Sequence, residues 1–217
     1  MEYDVVIVGA GPSGLSAAIK LKQLSKTNNK EISICIVEKG SEVGSHILSG
    51  AVIETKSLDE LIPNWKDTDI PVKTKAIKDD FLFLTKNKSF KLPTPPQMNN
   101  NGNYIVSLGN VCNWLGNYAE NLGVEIYPGF SASEILFDDE GKVLGIATND
   151  MGRLKDGSEG PNFEPGRQIL GAPPGQLLSA ARISKNMRLG SSACPAVSGG
   201  SDFNKLASRM SLFLRRG

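Results

Sequence analysis

The feature that most constrains this chain is Gly9-Ala10-Gly11-Pro12-Ser13-Gly14, a G-x-G-x-x-G turn set between an apolar β-branched run (residues 4–8) and a helical pattern over residues 13–24. A second β-branched run, residues 32–37, follows, so the first 38 residues predict strand, helix, strand. Each glycine has a separate duty. Gly9 permits the tight turn, Gly11 lets backbone approach a pyrophosphate, and Gly14 lets the helix pack close to the strand. The helix start then offers unpaired N–H groups and a positive dipole end to phosphate.

Glu38 closes the second strand 24 residues after Gly14, where a carboxylate can accept from both hydroxyls of an adenosine ribose. Its charge would repel a 2′-phosphate, which disfavours NADP. The loop SKTNNK at residues 25–30 lengthens the spacing. A nicotinamide dehydrogenase usually continues soon through further βα units. Here about 65 residues of Gly-, Pro- and Asn-rich loop and short strands intervene before the next helix, which suits FAD better than NAD. That helix is predicted over residues 108–122, with Gly123 as its cap, followed by a strand at 124–127. A hairpin of residues 133–137 and 142–148 turns at Asp138-Asp139-Glu140-Gly141. The fold class expected is α/β, a Rossmann-like FAD-binding domain of three layers with a parallel sheet and a crossover β-meander, incomplete at its C-terminus.

At 217 residues the chain has room for one large domain or one and a half ordinary ones. A net charge of +1 gives no global basic field, so nucleic acid is not an expected partner. The charge is divided unevenly: residues 1–166 carry 16 Lys/Arg against 22 Asp/Glu, and residues 167–217 carry 8 against 1. Residues 167–217 also lose periodicity, with Pro173, Pro174 and Pro195 and the pair Gly199-Gly200. They read as a weakly structured basic tail after a domain spanning 1–166, or as a marginal helical end carrying Leu206, Met210 and Phe213.

Cys35, Cys112 and Cys194 stand singly, without metal-ligand spacing, and fit a reducing compartment; no metal site can be proposed. The opening MEYDVVIVG leaves no room for a transit peptide, so residence on the cytoplasmic side is expected, and no stretch approaches a membrane span. His46, the only histidine, is expected to contact a flavin or make a loop hydrogen bond rather than act as an acid or base. Cys112 is expected in the core, Cys35 on either face of its strand. Trp65, Trp114, Phe81, Phe83 and Phe90 are expected in the core, as aromatic residues in short strands usually are.

The run VVIVGAGPSGLSAAIKLKQL with VEKGSEVGSHILSGAVI, residues 95–136, KVLGIATNDMG and LKDGSEGPNF resembles the electron transfer flavoprotein-ubiquinone oxidoreductases, within the glutathione-reductase-like flavoproteins. The resemblance runs almost continuously through residue 166. It implies FAD as cofactor, with a [4Fe-4S] cluster in the full-length family whose ligands lie outside this chain. It also implies electron transfer flavoprotein and ubiquinone as partners, at a peripheral membrane surface on the cytoplasmic side of an inner membrane. By the same resemblance the cofactor-binding positions are Gly9, Ala10, Gly11, Pro12, Ser13, Gly14, Glu38 and Lys39, with Leu48, Ser49, Gly50 and, near the adenine, Ala132. The catalytic residue is unassigned. After Gly166 the resemblance stops, which reads as an N-terminal fragment whose sheet lacks its closing strands. Two other readings stand beside it: a flavin oxidoreductase of the geranylgeranyl reductase or hydroxylase type, and an inactive nucleotide-binding fragment.

Overall fold

The computed structural model describes residues 1–47, 50–154 and 156–179, the last eight for backbone alone. In chain order the elements are β1 (Glu2–Val8), α1 (Pro12–Thr27), β2 (Ile34–Glu38), β3 (Ala51–Ile53), α2 (Lys56–Leu61), β4 (Thr74–Lys75), β5 (Phe81–Leu84) and β6 (Ser89–Leu92). Then come β7 (Tyr104–Val106), α3 (Leu108–Asn121), β8 (Glu125–Pro128), β9 (Ala132–Phe137), β10 (Val143–Thr148), β11 (Met151–Arg153), β12 (Glu159–Glu164) and β13 (Gln168–Ser179). The main sheet runs β8-β2-β1-β13-β10-β9. Its β8, β2, β1 and β13 are parallel, and β13, β10 and β9 are antiparallel. This is the expected Rossmann-like sheet with its meander.

Strand alternation decides which face each side chain serves. Val5, Ile7, Ile34 and Ile36 face a core shared with Leu15, Ala18 and Ile19 of α1 and with Val111, Cys112, Leu115 and Ala119 of α3. Val6, Cys35 and Val37 point the other way and join Ile146 of β10 and Ile169 of β13, and Tyr3 joins them from beyond the irregularity between Tyr3 and Val5. Cys35 therefore belongs to the meander-side layer. Fully burying an isoleucine or leucine stabilises by about 1.5–3 kcal/mol, so these two layers hold β1 and β2 from both sides. α3 ends as its sequence predicts: Gly123 N–H donates to Glu120 O and Val124 N–H to Ala119 O, the paired bonds of a glycine-closed helix.

Three expectations are corrected. Order does not stop at Gly166, since Gln168–Ser179 form β13 between β1 and β10. Ile169 supplies a buried apolar side chain, and the open edge of β1 needs a partner for its N–H and C=O groups. The strand is irregular: between Tyr3 and Val5 of β1 its partner shifts from Gly171 to Gln176, and the intervening Pro173 and Pro174 have no N–H for a ladder. Residues 180–217, including the helical spacing at 203–214, lie outside the described residues. The stretch between β2 and α3 is also less bare than expected, because α2 forms within it.

The third correction concerns aromatics. Trp65 is buried, with its indole N–H on Asp59, and Trp114 is half-buried, but Phe83 and Phe90 are 58% and 51% exposed. They sit opposite one another on the hairpin of β5 and β6, where Phe81 faces Leu92. Four apolar side chains thus share one face of a ribbon that, among the described residues, has two strands only.

Candidate functional site

The glycine turn leaves β1 at the carboxyl ends of the parallel strands. Gly9 takes φ +100°, a conformation that glycine adopts without strain, and its N–H donates to Val37 O at 2.8 Å, tying the turn to β2. A Cβ on Gly14 would lie 2.1 Å from the Gly9 carbonyl oxygen, so only glycine fits where α1 crosses the turn. A Cβ on Gly11 would meet nothing within 4 Å. The turn is thus closed on the strand side at Gly14 and open on the outer side at Gly11, the combination that close approach of a pyrophosphate requires.

Gly11 is the N-cap of α1, with no side-chain cap and no acidic residue in the first turn. The first turn of this 16-residue helix therefore presents backbone donors and a positive dipole end without a built-in anion. Pro12 at the start of α1 costs nothing there, since its missing N–H is one of those left over. Ser13 lies beside it, partly exposed.

Glu38 ends β2 next to the turn. Its Oε2 accepts from Ala10 N–H at 2.8 Å, and its Oε1 from Gly40 N–H at 2.8 Å. The structure thus brings Gly9, Ala10, Gly11, Pro12, Ser13, Gly14 and Glu38 into one corner. Lys39 points into solvent at its edge. Ala132 opens β9, three residues after Gly129, whose N–H donates to Gly40 O at 2.7 Å. Gly50 stands exposed just before β3, a strand of the separate three-stranded sheet, and Leu48 and Ser49 lie outside the described residues. His46 is exposed. Gly40 and Gly129 were not singled out by the sequence; the signal available was a glycine two positions after the strand-ending carboxylate.

Burial, with a smaller contribution from Glu38, pushes the Cys112 thiol up to about 12, and burial with Glu125 does the same for Cys35. Neither is a nucleophile at neutral pH. At the other end of the sheet, Tyr3 Oη and Tyr127 Oη donate to Glu125 Oε2 at 2.7 and 2.6 Å and lie 2.8 Å apart. Those bonds, Tyr127 first, hold the Glu125 carboxyl below its ordinary value.

Residues 7–66 match the family model of an NAD(P)-binding Rossmann-like domain. The electron transfer flavoprotein-ubiquinone oxidoreductase of Dictyostelium discoideum is 61% identical over 168 residues, which is 77% of this chain and 28% of that protein. Through its N-terminal part, this chain is similar in sequence to the electron transfer flavoprotein-ubiquinone oxidoreductases. The relative from Arabidopsis thaliana is 58% identical over 79% of this chain, and a probable one from Acinetobacter baylyi 54% over 78%. This chain spans less than a third of each of these relatives. Among solved structures, a geranylgeranyl bacteriochlorophyll reductase-like protein from Thermoplasma acidophilum superposes with a TM-score of 0.59 at 18% identity, covering 88% of this chain and 43% of that one. The flavin-dependent brominase Bmp2 gives 0.56 at 18%, over 88% and 41%. At that identity they share the fold.

Proposed function

We propose that this chain is the FAD-holding portion of an electron transfer flavoprotein-ubiquinone oxidoreductase, taking electrons from reduced electron transfer flavoprotein toward ubiquinone. The observation that carries the reading is the corner itself: open backbone at Gly11, an uncapped first turn of α1, and Glu38 beside it, in a stretch 61% identical to a protein of that name. The backbone of residues 11–14 would hold the pyrophosphate, Glu38 the adenosine ribose, and Ala132 the adenine side. When bound, FAD supplies the redox chemistry, while the chain's own groups position it and set the surrounding charge. No acid or base is assigned to the chain, because electron passage through a flavin requires none.

Peripheral contact with a membrane belongs to the same reading. Among the described residues no helix is long and apolar enough to cross a membrane. The β5–β6 hairpin instead exposes Phe83, Phe90, Leu82, Leu84 and Leu92, with Lys86 and Lys88 at its turn. An apolar ribbon ending in lysines suits the acyl and headgroup boundary of an anionic bilayer.

The test is anaerobic. Bound flavin should be bleached by reduced electron transfer flavoprotein and recover on addition of a ubiquinone analogue. Bleaching by NADPH instead would move the reading to an oxidoreductase of the geranylgeranyl reductase or hydroxylase type.

A further inference from the structure

We infer that Glu38 is a positioning residue that assembles the adenosine end of the site before any dinucleotide arrives, and that Gly40 and Gly129 complete the device. This rests on the FAD reading above. The path is continuous: Ala10 N–H donates to Glu38 Oε2 (2.8 Å), Gly40 N–H to Glu38 Oε1 (2.8 Å), and Gly129 N–H to Gly40 O (2.7 Å). One carboxylate thus links the phosphate-binding turn to the connection between β8 and β9, which leads to Ala132. The paired strands end at Glu38 opposite Pro128, and Pro128 has no N–H to give. The bond that carries the link past the strand end is therefore the one from Gly129.

Acceptor capacity explains how one carboxylate serves both duties. An ionised carboxylate has about four lone-pair positions. Two are taken, one on each oxygen, which leaves one on each oxygen for the two hydroxyls of a ribose. A glutamine cannot substitute in either orientation, because its amide nitrogen would face one of the two backbone N–H groups, donor against donor. Gly40 is fixed sterically: a Cβ there would stand 2.6 Å from Ser45 Oγ and 3.3 Å from Glu38 Oε1. Gly129 adopts φ +83°, a conformation that glycine takes without strain.

The experiment is residue-resolved amide exchange on the full 217-residue chain without ligand, followed by FAD titration. In the wild type the Ala10 and Gly40 amides should be protected. Glu38→Gln should speed the exchange of at least one of the two at least tenfold while Val6 and Ile36 amides keep their rates. Gly129→Ala alters no group assigned to ribose or phosphate, yet should weaken FAD binding at least fivefold with core protection intact. Unprotected Ala10 and Gly40 amides in the wild type would overturn the inference, as would an FAD affinity unchanged in Gly129→Ala. The exchange arm needs no ligand: a protein with the protected pattern that binds no FAD would sink the functional reading and leave the assembled corner standing.

Discussion

Replacing Gly14 with alanine would put a Cβ 2.1 Å from the Gly9 carbonyl oxygen and 3.2 Å from Ile7 Cγ2, where real Cβ contacts begin at 3.0 Å. Nearly an ångström must be found by moving α1 away from the turn, because the obstacle is backbone held by the Gly9–Val37 hydrogen bond. Overpacking of this kind costs about 1–3 kcal/mol, and helix propensity returns at most about 1 kcal/mol for Gly→Ala. We expect a net loss of about 1–2 kcal/mol, a visible fraction of the 5–15 kcal/mol that holds a domain together. Gly11→Ala is the control. Its backbone, φ −81° and ψ 178°, suits alanine, and its Cβ meets nothing. Its stability should stay within about 1 kcal/mol of wild type. Yet the methyl would occupy the approach to the pyrophosphate, so FAD affinity should fall about 100-fold, or about 2.7 kcal/mol. Urea melts and flavin titrations on both variants decide the matter. A Gly14→Ala protein as stable as wild type, or a Gly11→Ala protein that binds FAD normally, would refute the assignment of separate duties.

Cys35 and Cys112, pushed up to about 12 by burial, should resist iodoacetamide at pH 8 in the native protein and react after denaturation, as peptide mapping would show. A raised folded-state value stabilises the fold below the unfolded thiol value and is lost as pH rises. Melting temperature should therefore decline from about pH 9 upward, and a flat profile to pH 11 would contradict the assignment. Glu125 has the opposite sign: lowered by its hydrogen bonds from Tyr127 and Tyr3, it contributes above the ordinary carboxylate range and loses that as pH falls. Glu125→Gln should flatten the acid side of the stability curve, and an unchanged curve would remove Glu125 from it. On the hairpin, Phe83→Asp with Phe90→Asp should leave the melting temperature unchanged, since both rings are more than half exposed, and should abolish flotation with anionic vesicles. Equal flotation would discard that face as the membrane contact.

The glycine turn and its neighbours were legible because their demands are local. A strand-turn-helix with glycine at three fixed places leaves few alternatives, and β1, α1, β2, α3 and the β9–β10 hairpin fall within a few residues of where periodicity puts them. What failed depended on distant partners. Phe83 and Phe90 have the composition of a core strand, but more than half of each is exposed because, among the described residues, their hairpin forms a sheet of its own. Gln168–Ser179 have glycines and prolines that suggest no strand, yet the unpaired edge of β1 recruits them, at the cost of a register shift. In the site, the sequence indicated Glu38 as a ribose acceptor but not its two backbone donors, because Gly40 and Ala10 meet it only through the geometry of the turn.

The central claim, that the corner built by the glycine turn and Glu38 holds FAD, is tested most directly by gel filtration of the chain after incubation with FAD, read by visible absorption. The account predicts flavin bands that travel with the protein and are lost from Gly11→Ala. Flavin that separates from a folded wild-type chain, even after incubation at near-millimolar FAD, would contradict it.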